Sequence, residues 1–148
     1  MSWLFLSSGL FLGWSLGAND AANVFGTAVA TKMVRFRTAA LVAGLFVVLG
    51  SVAGVSGAAG TLGRLGAIDA PAGAFTVALA AGIAVLLLLK RSGLPVSTTQ
   101  AIVGAIVGWN LYTGRATDPA VLGRIVSSWL LCPLLSGALA ALLFVAAR

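Results

Sequence analysis

Apolar residues fall along this chain in long unbroken blocks, with polar and charged residues gathered between the blocks rather than alternating inside them. Blocks of this length and period predict membrane-crossing helices, whereas the strands of a β-barrel would alternate apolar and polar positions. The first block runs from Trp3 to about Ala30 and is expected to break at Gly17 to Asp20. The second runs from about Thr38 to Ala59, the third from Phe75 to Leu89, the fourth from Ala101 to Leu111 and the last from about Val121 to Ala147. Pro133 inside the last block is expected to kink that helix or free a carbonyl. Between the blocks lie the basic turn Lys32 to Arg37, a loop Thr61 to Ala72 with Arg64, Asp69 and Pro71, the polar stretch Ser92 to Gln100, and a loop Gly114 to Pro119. The expected fold is all-α: a polytopic membrane protein of about five transmembrane helices, two of them broken or re-entrant, in a single transmembrane domain over residues 1–148.

Two polar interruptions stand out from this background. Gly17-Ala18-Asn19-Asp20-Ala21-Ala22-Asn23 sets a carboxylate and two carboxamides inside the first block. An aspartate at such a position costs about 2.5–3.5 kcal/mol on insertion scales, and ionisable residues there usually mark an ion or substrate path. If the helix breaks at Gly17 and restarts near Ala21, Asn19 or Asp20 caps the second half, and Asn23 shares their face. Carboxylate and carboxamide oxygens suit a hard cation, while the N–H groups of a restarting helix favour an anion. The second interruption, Pro95-Val96-Ser97-Thr98-Thr99-Gln100, places a proline and three hydroxyls before an apolar helix, so that Ser97 or Thr98 serves as cap and the following N–H groups stay available. Paired interruptions of this kind resemble the broken helices that build midplane sites in secondary transporters.

Small residues supply a packing pattern. Gly9, Gly13 and Gly17 fall four apart, as do Gly50 with Gly54 and Gly104 with Gly108, and each set is expected to let another helix approach closely. Trp109, Asn110 and Tyr112 are expected at a membrane interface.

Composition narrows the classes further. Hydrophobic residues make up 60% of the 148 and charged ones only 8%, far from soluble-domain norms. The net charge of +6 does not imply nucleic acid, because Lys32, Arg35, Arg37, Lys90 and Arg91 sit at block ends, where basic residues report topology. There is no histidine and only one cysteine, Cys132, which excludes Ser-His catalysis, His-ligated metal and an intramolecular disulfide. A lone Ser97 or Cys132 has no activating base, so no enzymatic activity and no cofactor are expected.

With five crossings, one face receives Lys32, Arg35, Arg37, Lys90, Arg91 and Arg148, the other Arg64, Arg115 and Arg124. The richer face is expected in the cytoplasm, the N-terminus outside and the C-terminus inside. An odd number of spans forces a tandem second copy into the opposite orientation, so the chain, with one copy of the pattern, reads either as one half of an inverted-repeat transporter or as a reduced relative.

On these residues the chain resembles the inorganic phosphate transporter (PiT) family of secondary anion carriers. Gly17 to Thr27 is similar to the family's signature, Pro95 to Thr99 to its second motif, and Trp129 to Gly137, with Pro133, to its late-repeat helix. The resemblance spans essentially the whole chain but one repeat of the family's two. It implies uptake of inorganic phosphate across the cell membrane driven by a coupling cation, Na+ or H+. Asn19, Asp20 and Asn23 would then contribute to the cation site, while Ser97, Thr98, Thr99, Gln100 and Thr27 would bind the anion. Gln100 stands where the family usually has histidine and Val47 where it commonly has glutamate, which leaves Asp20 as the titratable group inside the spans. The expected partners are phosphate, membrane lipid and an oppositely oriented second half, either a separate subunit or another copy. Alternatives are a permease for sulfate or another tetrahedral oxyanion, and a non-transporting regulatory or assembly subunit.

Overall fold

The computed structural model describes residues 2–54, 56–66, 68 and 70–147. All regular structure among the described residues is helical: α1 (Ser2–Ala30), α2 (Phe36–Gly54), α3 (Ser56–Leu65), α4 (Pro71–Ser92), α5 (Thr98–Thr113) and α6 (Pro119–Ala146). Asp69, expected in a turn, and Arg148, counted in the basic bias, lie outside the described residues. Packing divides the chain into two units, residues 1–116 and 117–148.

Local chemistry explains most of the helix ends. Pro71 opens α4 at the position where its missing N–H costs nothing, and Gly93 closes it in the left-handed region (φ 67) with its N–H on the Leu89 carbonyl at 2.8 Å. In the second unit, the Asp118 carboxylate accepts from the N–H groups of Ala120 (2.8 Å) and Val121 (3.1 Å), and Pro119 follows it into α6. α6 then runs through Pro133, which has no N–H to offer the Trp129 carbonyl. Among the described residues three helices, α2, α4 and α6, are long and apolar enough to cross a membrane. Their exposed side chains include Leu41, Phe46 and Val52 on α2 and Leu130, Leu134 and Phe144 on α6, as lipid-facing surfaces require. α1 has the length, at 29 residues, but carries Ser7, Ser8, Ser15, Asn19, Asp20 and Asn23; α5, at 16 residues, is shorter than a full span.

Several expectations are corrected. α1 is one continuous helix, with no break at Gly17 to Asp20 and neither Asn19 nor Asp20 acting as a cap. An interior glycine costs only about 1 kcal/mol, whereas opening the backbone ladder in an apolar medium costs several. The expected loop Thr61 to Ala72 is helical as far as Leu65 and again from Pro71. Its glycines argued for a turn, but Leu65 is fully buried and α3 packs on α5, so tertiary contact overrides propensity. Asn110, expected at an interface, is fully buried against Gly66, where any Cβ would overlap its carboxamide.

Inside the first unit the regularly spaced glycines are not where helices meet. At Gly9, Gly13, Gly17, Gly50, Gly54, Gly104 and Gly108 an added Cβ would meet nothing within 4 Å among the described residues of that unit. Close approach occurs instead at Gly82, where a Cβ would lie 2.8 Å from Phe11 Cδ1 and 3.4 Å from Ser15 Oγ, and at Gly73, where it would lie 2.9 Å from Trp109 Cζ2. These two contacts fix the bundle. Phe5 meets Phe75 edge-on at 6.1 Å and Phe11 meets Gly82, so α1 and α4 run parallel. Gly73 near the start of α4 meets Trp109 near the end of α5, so α4 and α5 are antiparallel.

Candidate functional site

The site forms where α1 passes the connection between α4 and α5. From Gly73, α4 continues to Ser92, whereas α5 returns from Trp109 only as far as Thr98. At 1.5 Å per residue, α5 therefore begins about 12 Å short of the end of α4, and residues 93–97 run back into the bundle to reach it. The α1 register agrees. With Phe11 and Ser15 beside Gly82, a parallel α1 brings Asn19 level with about residues 86–88 of α4, about 6–9 Å before Ser92. The start of α5 is thus recessed below the helix end that carries Lys90 and Arg91.

One side chain holds this arrangement. Asn19, 1% exposed, accepts from the Val96 N–H through Oδ1 at 2.8 Å and donates from Nδ2 to the Val96 carbonyl at 2.6 Å. The carboxamide thereby pairs with a peptide unit as a neighbouring strand would. Its Nδ2 also donates to Asp20 Oδ1 at 2.7 Å, tying the adjacent carboxylate to the same clamp. Ser8 and Ser15, buried on the same face of α1, return their hydroxyls to the Phe5 and Leu12 carbonyls at 3.2 and 2.8 Å and so need no partner elsewhere.

Beyond the clamp, Ser97 caps α5. Its backbone is extended (φ −75, ψ 111) and its Oγ accepts from the Gln100 N–H at 3.3 Å. The N–H groups of Thr98 and Thr99 precede any intrahelical acceptor and point out of the helix start. Thr98 is buried, and its Oγ1 has no hydrogen-bond partner. A buried hydroxyl left in this state costs about 1–3 kcal/mol.

A cavity of about 360 Å³ lies between these parts, lined by Leu16, Asp20 and Asn23 of α1 and by Pro95, Val96, Ser97, Thr98 and Thr99. The structure thus brings Asp20 and Asn23 together with the three hydroxyl residues, 70 and more positions away in sequence. Asn19 stands behind the wall rather than in it. Gln100 and Thr27, both exposed, are not brought to the cavity. Asn23, Ser97 and Thr99 are exposed, so the cavity is open on one side of this unit. Sequence reasoning missed Leu16 and the Val96 peptide unit as wall elements; only the proline before Val96, which holds the chain extended, hinted that this backbone could face a partner.

The chain matches the phosphate transporter family over residues 16–148. It belongs to that family. A sodium-dependent phosphate transporter of Plasmodium falciparum is 34% identical over 161 residues, covering 100% of this chain and 24% of the relative. A putative phosphate permease of Chlamydia pneumoniae is 34% identical over 94% of the chain and 35% of its own length, and one of Thermococcus kodakarensis is 34% identical over 96% of the chain and 38% of its own length. The chain therefore spans between a quarter and two fifths of these phosphate transporter relatives. No solved structure matches it. Membership in the family, with three apolar helices of spanning length among the described residues, makes this a multi-pass membrane protein.

Proposed function

We propose that this chain forms one repeat of a cation-coupled carrier of inorganic phosphate, with α1, α2, α4, α5 and α6 as its five crossings. The observation that carries the reading is the unpartnered Thr98 hydroxyl in the wall of a recessed cavity that also contains Asp20. Hydroxyls and helix-start N–H groups bind a tetrahedral oxyanion without bringing a permanent positive charge into the membrane. Thr98 Oγ1 and the Thr98 and Thr99 amides take anion oxygens, with Ser97 and Thr99 at the rim. Asp20 and Asn23 offer oxygens to the coupling cation, Na+ or H+, whose charge offsets that of the anion at depth. Asn19 acts as a positioning residue for the loop and for Asp20, since its Oδ1 already accepts from Val96.

Phosphate is favoured over sulfate by the carboxylate. Near neutral pH phosphate still carries a proton that Asp20 can accept in a hydrogen bond, whereas sulfate has none to donate. The open side of the cavity fits completion by a second, oppositely oriented repeat. Uptake of radiolabelled phosphate by cells lacking their own phosphate carriers tests the reading. The expected result is uptake that depends on a sodium or proton gradient, falls about tenfold or more in Asp20→Asn, and resists competition by excess sulfate. Wild-type uptake in Asp20→Asn would remove the central residue of this proposal, and full competition by sulfate would transfer it to the broader oxyanion class.

A further inference from the structure

A second concavity lies on the other side of α1. At 100° per residue, Ala18, Ala21 and Phe25 face away from Asp20 and Asn23, and with Val29 they form one wall of a groove whose other wall is α2, through Ala39 and Ala43. The groove encloses about 430 Å³ and its wall is apolar, mostly alanine with Phe25, Val29 and Phe36. From Ala18 to Ala30 it follows α1 for about 18 Å, the length of a lipid acyl chain rather than of a compact solute.

One end of the groove lies at the turn between α1 and α2, because Ala30 and Phe36 belong to its wall and bracket that turn. The turn carries Lys32, Arg35 and Arg37, all exposed. No acidic residue occurs between Asp20 and Asp69, so neither the turn nor α2 supplies a carboxylate to neutralise these cations. Met33 and Phe36, 80% and 71% exposed, set apolar side chains among them, the mixture found at the boundary of headgroups and acyl chains. Lys32 adds a cost that its neighbours do not. It is held at φ 60, a left-handed conformation that glycine adopts freely and lysine does not, with the Met33 and Val34 N–H groups both on the Ala28 carbonyl at 2.9 and 3.2 Å. The strained position keeps a cation at the groove mouth.

We propose that the α1–α2 groove holds an acyl chain of an anionic diacylphospholipid whose headgroup is bound by Lys32, Arg35 and Arg37. Charge complementarity selects this occupant: a neutral lipid would leave the cations unused, and free phosphate would leave the groove unfilled. The site is separate from the Asp20 cavity and does not depend on what that cavity transports.

Native mass spectrometry of the purified protein, titrated with phosphatidylglycerol, phosphatidylcholine or deacylated glycerophosphoglycerol, tests the assignment. Phosphatidylglycerol is expected to bind in preference to both, and each cation changed to glutamine to weaken it by roughly fivefold. Lys32→Gly is the decisive variant, because it relieves the strained turn and raises Tm while lowering phosphatidylglycerol binding. Ala43→Phe, which fills the groove, is expected to reduce retention of the diacyl lipid. Arg35 and Arg37 are exposed, so their glutamine variants remain informative if Ala43→Phe fails to fold. Equal binding of the two diacyl lipids, an undiminished phosphatidylglycerol preference in the triple glutamine variant, or binding of glycerophosphoglycerol as tight as that of the lipid would overturn the proposal. A lipid-free dimer dissociated by Ala43→Phe would overturn it as well and give the groove to protein.

Discussion

Replacing Asn19 by alanine removes the acceptor for the Val96 N–H and the donor to its carbonyl in one step. Each such bond contributes about 0.5–1.5 kcal/mol net, and the groups left behind cost about 1–3 kcal/mol where water does not reach them. With both bonds of a part-buried pair lost, the loop is weakened by about 1–3 kcal/mol, equivalent to a roughly 5- to 150-fold rise in its opening equilibrium. Hydrogen exchange of a peptide covering residues 94–100 reads that equilibrium directly, since the Val96 amide exchanges only when it leaves Asn19. Asn19→Ala is expected to exchange there by that factor faster. Asn23→Ala is expected to leave the rate unchanged, because Asn23 lines the cavity without holding the loop. Asn19→Asp should fare no better than alanine: a carboxylate can accept from the Val96 N–H but cannot donate to its carbonyl, and it faces Asp20 as a like charge. Unaltered protection of residues 94–100 in Asn19→Ala would refute the clamp and the positioning role built on it.

Other substitutions follow from the same packing. Thr98→Val deletes the unpartnered hydroxyl while keeping the shape, so thermal unfolding should hold or rise by up to about 1–3 kcal/mol equivalent while phosphate uptake falls; Thr98→Ser should retain uptake. Gly82→Val drives a side chain into Phe11 and should cost about 1–3 kcal/mol in a thermal-shift assay, whereas Gly13→Val, with open space around it, should be near neutral for this unit alone. Gly66→Ala should lower stability comparably through the Asn110 carboxamide, and a second change of Asn110→Ala should recover part of that loss. Asp118→Ala removes two hydrogen bonds at the start of α6 and should destabilise that helix by about 1 kcal/mol, measurable as faster exchange of the Ala120 and Val121 amides.

The helical class, the positions of the apolar blocks and the Ser97 cap were legible because each depends on near neighbours: block length, a proline, a hydroxyl before an apolar run. Asp20, Asn23 and Ser97 to Thr99 could be singled out for a similar reason, since polar side chains stand out against apolar flanks. What could not be read was where those side chains find partners. The stretch Gly17 to Asp20 looked like a break because Asp20 is the one near neighbour that Asn19 bonds; its other partners are the N–H and carbonyl of Val96, 77 positions on, and with them in place α1 has no reason to open. The glycine spacing does not report the packing inside this unit. The regular spacing of Gly9, Gly13 and Gly17 suggested close packing, while the helix contacts fall at Gly73 and Gly82, which show no such repeat. Gln100 and Thr27, assigned to the anion through the family resemblance, lie outside the lining of the cavity.

The parallel pairing of α1 with α4 sets a schedule for biogenesis. Asn19 and Asp20 leave the ribosome early, but the Val96 backbone that Asn19 clamps is synthesised 77 residues later. A ribosome adding roughly 5–20 residues per second leaves Asn19 without that partner for about 4–15 seconds. For an α1 that crosses the bilayer, as proposed above, that interval favours waiting beside the insertion machinery or another polar surface, so the burden of this site would fall first on the translocon.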